Sequence, residues 1–430
     1  MVSRPPVVPP ACDNGIGCPA CISRRSLTLG MLAGLAALPA SRSAASERTF
    51  PRLRRGINLH NLLNWPETTN VNGRLDYVWP PFSSTRYDMP SSEFAVLKSL
   101  KFDFVRVTVD PSILIAADAD RWTYLKDHME TVVETVLEAG FNLVFDLHPV
   151  TVNPEYAPDI LVDPAHKRVF EAYAAMVEKV ARMLNRFPID RVVFELINEP
   201  CMPSLKDSNR WQTMLEVLHG RARAGASDLP LLLTGMAWGD RRGLMKLDVG
   251  RFRDSNVLYT FHYYDPHTFT HQGVRGDDAQ YVLGLRWPTD KYNIPVVEVH
   301  ASELIAKRGE LNADQREMVF AQTMRLLREL MTYPSSETTV KQDFGEVGAW
   351  IKANGIAADR VLLGEFGCVL SSNGQNVGPD RLRWLTAVRE AAEENGFGWA
   401  YWAYKGYGGM EFVGPDNNAH SDLYGPLGLK

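Results

Sequence analysis

Short runs of Val, Ile, Leu and Phe recur along the chain from about residue 50, and longer amphipathic stretches separate them. A short, largely apolar run bounded by turn residues is typical of a strand buried on both faces of a parallel sheet. The stretches between them, such as 125–139 and 169–187, place apolar residues at helical spacing with charges on the opposite face. Eight apolar runs are present: Arg55–His60, Phe102–Val109, Asn142–His148, Val192–Glu199, Leu231–Trp238, Val257–Tyr264, Val361–Cys368 and Gly398–Lys405.

This alternation of strands and helices predicts an α/β fold, and the count of eight strands predicts a (β/α)8 barrel. The segment 265–360 lies between the sixth and seventh runs and is too long for a bare loop. Since 314–331 has helical character, we expect this segment to contain one barrel helix plus inserted elements near the barrel mouth. No internal repeat interrupts residues 46–430, which are therefore predicted to form a single barrel domain.

Each apolar run ends in residues that a hydrophobic core would reject. In a barrel, these positions are the C-terminal ends of the strands, which open into one shared pocket. A β-sandwich would scatter them instead. The residues are His60, Asn61, Arg106, Asp146, His148, Asn198, Glu199, Trp238, His262, Tyr264, Glu365 and Trp402.

The first 45 residues have a different character from the rest of the chain. Arg24 and Arg25 precede an apolar run from Leu27 to about Ala40, and small residues follow at 43–45. This layout predicts a signal peptide over residues 1–45, and the paired arginines resemble a twin-arginine export signal. An ordinary secretory signal is the alternative. Both predict a periplasmic or secreted protein, and the apolar run is shorter than the ~20 residues of a membrane span.

Net charge narrows the possible binding partners, and the cysteine content bears on whether a disulfide can form. The formal net charge of −5 provides no basic surface for nucleic acid, and it suits a neutral polymer better. Cys12, Cys18 and Cys21 leave with the predicted signal peptide. Cys201 and Cys368 are expected to be separate, small, buried residues, because the ends of opposite barrel strands are too far apart for a disulfide. We expect a monomer that does not remain at a membrane.

Two carboxyl groups stand out among the strand ends. Glu199 closes the run 192–199 next to Asn198, and Glu365 lies in the sequence Gly-Glu-Phe-Gly three strands later. A pair of carboxyls facing each other across a barrel mouth suits glycosidic cleavage, in which one donates a proton and the other attacks the anomeric carbon. Arg106 nearby would favour the ionised form of the attacking group. Buried, ion-paired glutamates with a purely structural role are the alternative.

The series of strand-end residues resembles glycoside hydrolase family 5, a family of cellulase-type barrel enzymes. The resemblance runs from about Arg55 to Lys405 and implies a retaining mechanism with a covalent glycosyl-enzyme intermediate. It implies that Glu199 is the acid/base and Glu365 the nucleophile. The positions that carry it are Arg106, His148, Asn198-Glu199-Pro200, His262-Tyr263-Tyr264, Glu365 in Gly364–Gly367, and Trp402.

The resemblance also implies substrate-binding roles for Arg106, His148, Asn198, His262, Tyr264 and Trp402. Asn198 would bind the 2-hydroxyl of the sugar being cleaved, while Arg106 and Tyr264 would hold Glu365 charged and oriented. Both histidines would line the same subsite. Trp402 would be the floor beneath the sugar, followed by a cis peptide bond to Ala403.

The activity expected from this resemblance is endo-acting cleavage of β-1,4-glucan, with a β-mannanase, xyloglucanase or β-glucosidase on the same scaffold as alternatives. A sugar-binding barrel without activity would have lost one of the two glutamates. The spacing of His262, His267 and His271 raises a metal site as a further hypothesis. We disfavour it, and expect no metal or cofactor, because the retaining mechanism needs none.

Overall fold

The computed structural model describes residues 50–252, 254–372, 375–376, 378–406, 409–414 and 416–429. The predicted signal peptide, residues 1–45, lies outside the described residues. Eight parallel strands close into the predicted barrel, each pairing with its neighbour in sequence and the last with the first. They are β1 (Arg55–Leu63), β2 (Phe104–Val109), β3 (Asn142–Leu147), β4 (Val192–Glu195), β5 (Leu231–Thr234), β6 (Val257–His262), β7 (Val361–Phe366) and β8 (Gly398–Tyr401).

Long helices surround most of this barrel. They are α1 (Ser91–Ser99), α2 (Ala119–Glu138), α3 (Lys167–Leu184), α4 (Ser208–Gly225), α5 (Ile294–Ala306), α6 (Ala313–Thr332), α7 (Glu337–Ala353) and α8 (Gly378–Glu394). The predicted helical stretches 125–139 and 169–187 correspond to α2 and α3. The alternation is incomplete after β5, where the described chain forms only the short turns Met236–Gly239, Arg241–Leu244 and Val249–Arg251. A two-stranded hairpin, Thr68–Val71 with Arg74–Tyr77, follows β1.

The segment between β6 and β7 contains three of these helices, which confirms the predicted insertion. Helix α7 packs against α8 and takes the place of a barrel helix, whereas α5 and α6 pack against each other as the inserted pair. Capping boxes at Asn312 and Ser336 begin α6 and α7, since each side chain accepts a hydrogen bond from the third residue of its helix.

The barrel interior changes from apolar to charged within two residues along the strands. Its lower layer is apolar and includes Phe104, Val144 and Val193. Because side chains on one face of a strand recur every second residue, Arg106, Asp146 and Glu195 point into the same interior one step higher. All three are fully buried. The apolar layer therefore forms a plug beneath a charged layer that faces the barrel mouth.

Some predicted boundaries and burials differ from the structure. The apolar runs 192–199 and 231–238 predict whole strands, but β4 and β5 are shorter, so Asn198 and Glu199 lie in the loop after β4. That loop is anchored to the neighbouring strand, since the Asn198 backbone N–H donates to the Leu147 carbonyl at 2.9 Å. Cys201 and Cys368 do not pair with each other, as predicted, and Cys368 is buried, but Cys201 is only partly buried. None of the described helices combines the length and apolar character needed to cross a membrane.

Candidate active site

Arg106 is the centre of the site, in the middle of β2. Its side chain is 0% exposed. The guanidinium binds both carboxylate oxygens of Glu195, with its Nε at 2.7 Å and one terminal nitrogen at 3.0 Å. It also lies 3.0 Å from the Asp146 carboxylate and donates to Glu365 at 2.8 Å. One cation therefore faces three carboxyl groups in a region closed to solvent.

Strand pairing explains why these groups meet. Asn58 of β1 is in register with Arg106, and Asp146 of β3 is in register with Glu195 of β4. The Asn58 amide oxygen accepts from Arg106 at 2.9 Å, and its nitrogen donates to the Gly364 carbonyl at 3.1 Å. This single amide thus ties the guanidinium to the backbone beside Glu365.

Glu365 is held on both carboxylate oxygens. Arg106 donates to Oε1, and the Tyr264 hydroxyl donates to Oε2 at 3.0 Å. Its side chain is only 5% exposed. Burial raises the pKa of Glu365 to about 7, while His262 and then Arg106 pull it down. The two donors fix the orientation of the carboxyl and favour its ionised form against the cost of burial.

Glu199 lies across the mouth from Glu365 in a different environment. Its Oε1 is 2.7 Å from Nδ1 of His262, and its side chain is 29% exposed. Burial raises the pKa of this carboxyl to about 7, with Arg106 opposing the shift. Its hydrogen-bond partner is thus an imidazole, whereas those of Glu365 are a guanidinium and a phenol hydroxyl. Glu199 is the more open of the two carboxyls, and the one whose partner can accept a proton.

The separation of the two carboxyls bears on the chemistry. A carboxylate oxygen of Glu199, one of Glu365 and a ring nitrogen of His262 all lie within 4.8 Å of one another. This is well below the ~6.5–9.5 Å carboxyl separation that leaves room for an attacking water in inverting glycosidases. It is close to the ~5–5.5 Å expected when one carboxyl attacks the sugar itself.

Aromatic and imidazole rings form one wall of the site. The His148 and Trp402 rings are nearly parallel, at 11°, with centroids 5.5 Å apart. Nδ1 of His148 lies 2.8 Å from Asp146, and its other nitrogen lies 3.3 Å from the Asn198 amide. The Trp402–Ala403 peptide bond is cis, as predicted. The indole is 3% exposed and packs on Ala403 and Met410 as well as on His148.

The donor types at this site are compatible with a metal, but hydrogen bonds account for each group. Glu365 is bound by Arg106 and Tyr264, and Glu199 and His262 bind each other. We therefore assign none of the three as a metal ligand. The histidine trio raised by the sequence does not converge either, because the rings of His267 and His271 stack face to face while His262 turns to Glu199.

A family model settles which proteins this chain resembles. The model of the cellulase family, glycosyl hydrolase family 5, matches residues 79–408. The chain belongs to glycosyl hydrolase family 5. Endoglucanase 3 of Fibrobacter succinogenes is 24% identical over 371 residues, covering 84% of this chain and 50% of that protein. The chain spans about half the length of the first curated relatives it matches.

Solved structures of other proteins share the fold of this family 5 chain. Endoglucanase Cel5A of Thermotoga maritima superposes with a TM-score of 0.62 at 20% identity, covering 87% of this chain and 96% of that one. The same Cel5A has been solved with mannotriose. A family 5 xyloglucanase of Paenibacillus pabuli gives a TM-score of 0.60 at 17% identity, with coverages of 87% and 98%.

The sequence pattern assigns no role to several residues of this family 5 site. The pattern of polar strand ends does not identify Glu195 and Asn58, because both lie inside apolar runs rather than at their ends. A signal is nevertheless present, since a charged residue on the inward face of a barrel strand needs a buried partner. His60 stands out only as a strand end, and it contacts Thr108 at 3.1 Å and accepts from the Trp65 indole at 2.8 Å.

Proposed function

We propose that this family 5 chain is a retaining, endo-acting hydrolase of β-1,4-glucan, with Glu365 as nucleophile and Glu199 as acid/base. The observation that carries the proposal is the close approach of the two carboxyls, within 4.8 Å, combined with two hydrogen-bond donors on Glu365 alone. The distance suits direct attack on the sugar. The donors distinguish the two roles, because they favour a charged nucleophile.

The first chemical step forms a glycosyl-enzyme. An oxygen of ionised Glu365 attacks the anomeric carbon while protonated Glu199 gives its proton to the leaving glycosidic oxygen. His262 would support this proton position, because burial lowers its pKa and favours the neutral ring, and the tautomer with its proton on Nε2 would accept the Glu199 hydroxyl at Nδ1. The aglycone leaves as an alcohol, and Glu199 becomes a carboxylate.

The second step reverses these roles. Glu199 takes a proton from water as the water oxygen attacks the anomeric carbon, and Glu365 is released as a carboxylate. Two inversions at one carbon give net retention. The mechanism needs Glu365 ionised and Glu199 protonated, so the active form carries one proton across the pair. Because burial raises the pKa of both carboxyls to about 7, we expect a bell-shaped pH profile centred near neutrality.

The remaining polar residues are proposed to bind sugar or to hold those that react. Asn198 would donate to the 2-hydroxyl at the cleavage site, and His148 and His262 would line the same subsite. Trp402 would lie beneath the sugar ring. Arg106 has no exposed surface, so its proposed role is to orient Glu365 together with Tyr264 rather than to touch substrate.

Anomeric configuration and substrate identity are tested together. Proton NMR of a cello-oligosaccharide digest should show the β-anomer first, before mutarotation. Initial appearance of the α-anomer would contradict the proposed mechanism. Assays on soluble β-1,4-glucan, mannan, xyloglucan and short glucosides decide the substrate. A mannanase or xyloglucanase is the second candidate, supported by the mannotriose complex of Cel5A and by the xyloglucanase neighbour.

We further propose that residues 1–45 are a signal peptide of the twin-arginine type and that residues 46–430 form the exported, monomeric enzyme. The support is the order of the segments: paired arginines, a short apolar run and small residues before the barrel begins.

A further inference from the structure

Every N–H donor of the Arg106 guanidinium has an acceptor in the site. A guanidinium has five such donors in one rigid plane and no acceptor of its own. Two of them go to Glu195, at 2.7 and 3.0 Å, and two others go to Glu365 at 2.8 Å and to the Asn198 amide oxygen at 2.7 Å. Asn58 accepts the fifth at 2.9 Å. The orientation of this one plane therefore decides where the proposed nucleophile and the proposed sugar-binding amide are held.

Glu195 is the partner that fixes the plane. Its two carboxylate oxygens accept from Nε and from one terminal nitrogen of Arg106, which is the bidentate geometry that sets orientation as well as distance. Both side chains are fully buried, so water does not weaken the pair. Glu195 thus controls the edge of the guanidinium from which the Asn198 contact extends.

Asp146 offers the guanidinium a competing position. Its Oδ2 lies 3.0 Å from the terminal nitrogen that also binds Glu195 and Asn198, and its Oδ1 has no hydrogen-bond partner in the part of the chain that the structure describes. If Glu195 no longer accepted at both oxygens, Arg106 should turn toward Asp146, since leaving buried donors without an acceptor is costly. That rotation would draw the terminal nitrogen away from Asn198.

The contact with Arg106 also decides which way the Asn198 amide points. Because a guanidinium can only donate, the amide oxygen must face Arg106 and the amide nitrogen must face away from it. That nitrogen lies 3.3 Å from Nε2 of His148, whose Nδ1 lies 2.8 Å from Asp146. One N–H of the amide can therefore face His148 while the other faces the sugar.

We propose that Glu195 is a positioning residue, which holds Arg106 so that Asn198 presents an N–H to the sugar 2-hydroxyl while Glu365 faces the anomeric carbon. The inference rests on the proposed roles of Asn198 and Glu365. Glu195 touches no substrate in this scheme and acts only through the guanidinium. Its replacement should therefore weaken the contact with the 2-hydroxyl specifically, as well as slow the formation of the glycosyl-enzyme.

The test measures how much each variant gains from the 2-hydroxyl. An aryl β-cellobioside is compared with its analogue that lacks the 2-hydroxyl on the ring being cleaved. The ratio of the two kcat/KM values for phenol release reports the contact. Glu195→Gln replaces one acceptor oxygen with a donor at nearly constant volume, and Glu195→Asp keeps both oxygens on a shorter side chain. Asn198→Ala, alone and combined with Glu195→Gln, completes a double-mutant cycle.

Asp254→Asn is the matched control. Asp254 pairs with Arg223 of α4, and both side chains are largely buried, as in the pair of Glu195 with Arg106. Asp254 precedes β6 and so lies at the end of the barrel opposite the mouth. The variant disrupts a shielded carboxylate–guanidinium pair without touching the site, so it should keep the wild-type ratio even if it lowers stability.

Glu195→Gln should lower the ratio by on the order of tenfold and lower kcat on both substrates, but in the Asn198→Ala background it should lower the ratio no further. Glu195→Asp should lower the ratio by a smaller factor, which keeps the inference testable if the Gln variant does not fold. An unchanged ratio in the folded variants, or an equal drop in both backgrounds, would overturn the inference.

A second measurement follows the same contacts without substrate. Nitrogen-15 NMR of the Arg106 Nε–H and of the Asn198 side-chain amide should show both signals displaced in Glu195→Gln and neither in Asp254→Asn. If the wild-type chain cleaves neither glycoside, the proposed function fails, and if Asn198→Ala leaves the ratio unchanged, the proposed role of Asn198 fails. In both cases the NMR signals still decide whether Glu195 positions Asn198 through Arg106, and an undisplaced Asn198 signal would refute it.

Discussion

At the scale of single residues, the site depends on one guanidinium placed among carboxyls. Burial raises the pKa of Asp146, Glu195, Glu199 and Glu365 to about 7 in each case. These four groups and Arg106 cannot all be charged at neutral pH without a large desolvation cost. Glu365 has a donor on each oxygen, while Oδ1 of Asp146 has no hydrogen-bond partner within the described part of the chain.

Replacing Glu365 with Gln should abolish hydrolysis while leaving the fold nearly unchanged. The amide keeps the volume of the carboxyl but cannot attack the anomeric carbon, so kcat should fall by about 10⁴-fold or more. Calorimetric titration with cello-oligosaccharide should still detect binding. Glu134→Gln, an exposed substitution on α2, is the control and should retain full activity. Residual activity above one per cent would argue against Glu365 as nucleophile.

Replacing Glu199 with Gln should give a loss that depends on the leaving group. Natural glucan needs proton donation to its glycosidic oxygen, so its cleavage should fall by about 10²–10⁴-fold. The acidic phenol of an aryl glycoside leaves without that proton, so the first chemical step on this substrate should keep much of its rate. Stopped-flow release of the phenol measures this step. Equal losses on both substrates would remove Glu199 from the acid role.

At the scale of elements, Asp110 is a helix-capping residue whose titratable carboxyl is buried. Its Oδ1 accepts from the Ser112 N–H at 2.8 Å at the start of the short helix Pro111–Ala116. Its Oδ2 is buried and meets no hydrogen-bond partner among the described residues. Burial raises the pKa of Asp110 from 3.8 to about 7. Because the folded pKa lies above the unfolded one, the folded state binds more protons between these values.

The free energy of unfolding should therefore fall as pH rises from about 4 to about 7, by at most a few kcal/mol from this group. Asp110→Asn should flatten that dependence, whatever the amide does to absolute stability. Urea unfolding at several pH values measures the slope. Asp118→Asn is the matched control, because Asp118 is an exposed cap that accepts from the Arg121 N–H at 2.9 Å. A slope unchanged in Asp110→Asn would contradict the assignment.

Strand β7 leaves no room for a side chain at Gly364. A Cβ at this position would lie 2.6 Å from Oγ1 of Thr260 and 3.1 Å from Nε2 of His262. Gly364→Ala should push His262 away from Glu199, costing about 1–3 kcal/mol in stability and lowering kcat. Gly345→Ala in α7 meets nothing within 4 Å and should keep wild-type activity. Thermal unfolding and kinetics on both variants test the comparison, and equal kcat values would count against it.

At the scale of the whole molecule, the proposed export route depends on the paired arginines near the start of the chain. The twin-arginine route requires both arginines, so replacing Arg24 and Arg25 with Lys should leave the uncleaved chain in the cytoplasm. Cell fractionation and N-terminal sequencing of the exported form measure this. The same two substitutions should not alter the activity of purified protein. Normal export of the double variant would favour an ordinary secretory signal.

The sequence by itself determined the strands, their order and the two carboxyls. Apolar runs of strand length separated by helical periodicity identify a parallel barrel because burial on both faces excludes polar residues. It follows that polar residues at the ends of those runs share one mouth, which is enough to group Glu199, Glu365, His262 and Tyr264 at a single site. The length of the segment 265–360 likewise predicts an insertion.

The tertiary structure alone decided which side chains meet below the mouth. Glu195 and Asn58 contact Arg106 through the register between strands that are far apart in sequence, and register is set by barrel closure rather than by local pattern. The stack of His267 on His271 likewise depends on how the loop after β6 packs on the segment after β7, where the Val369 N–H donates to the Thr270 carbonyl. Periodicity reports burial along one element, whereas these contacts arise from the packing of several elements around one axis.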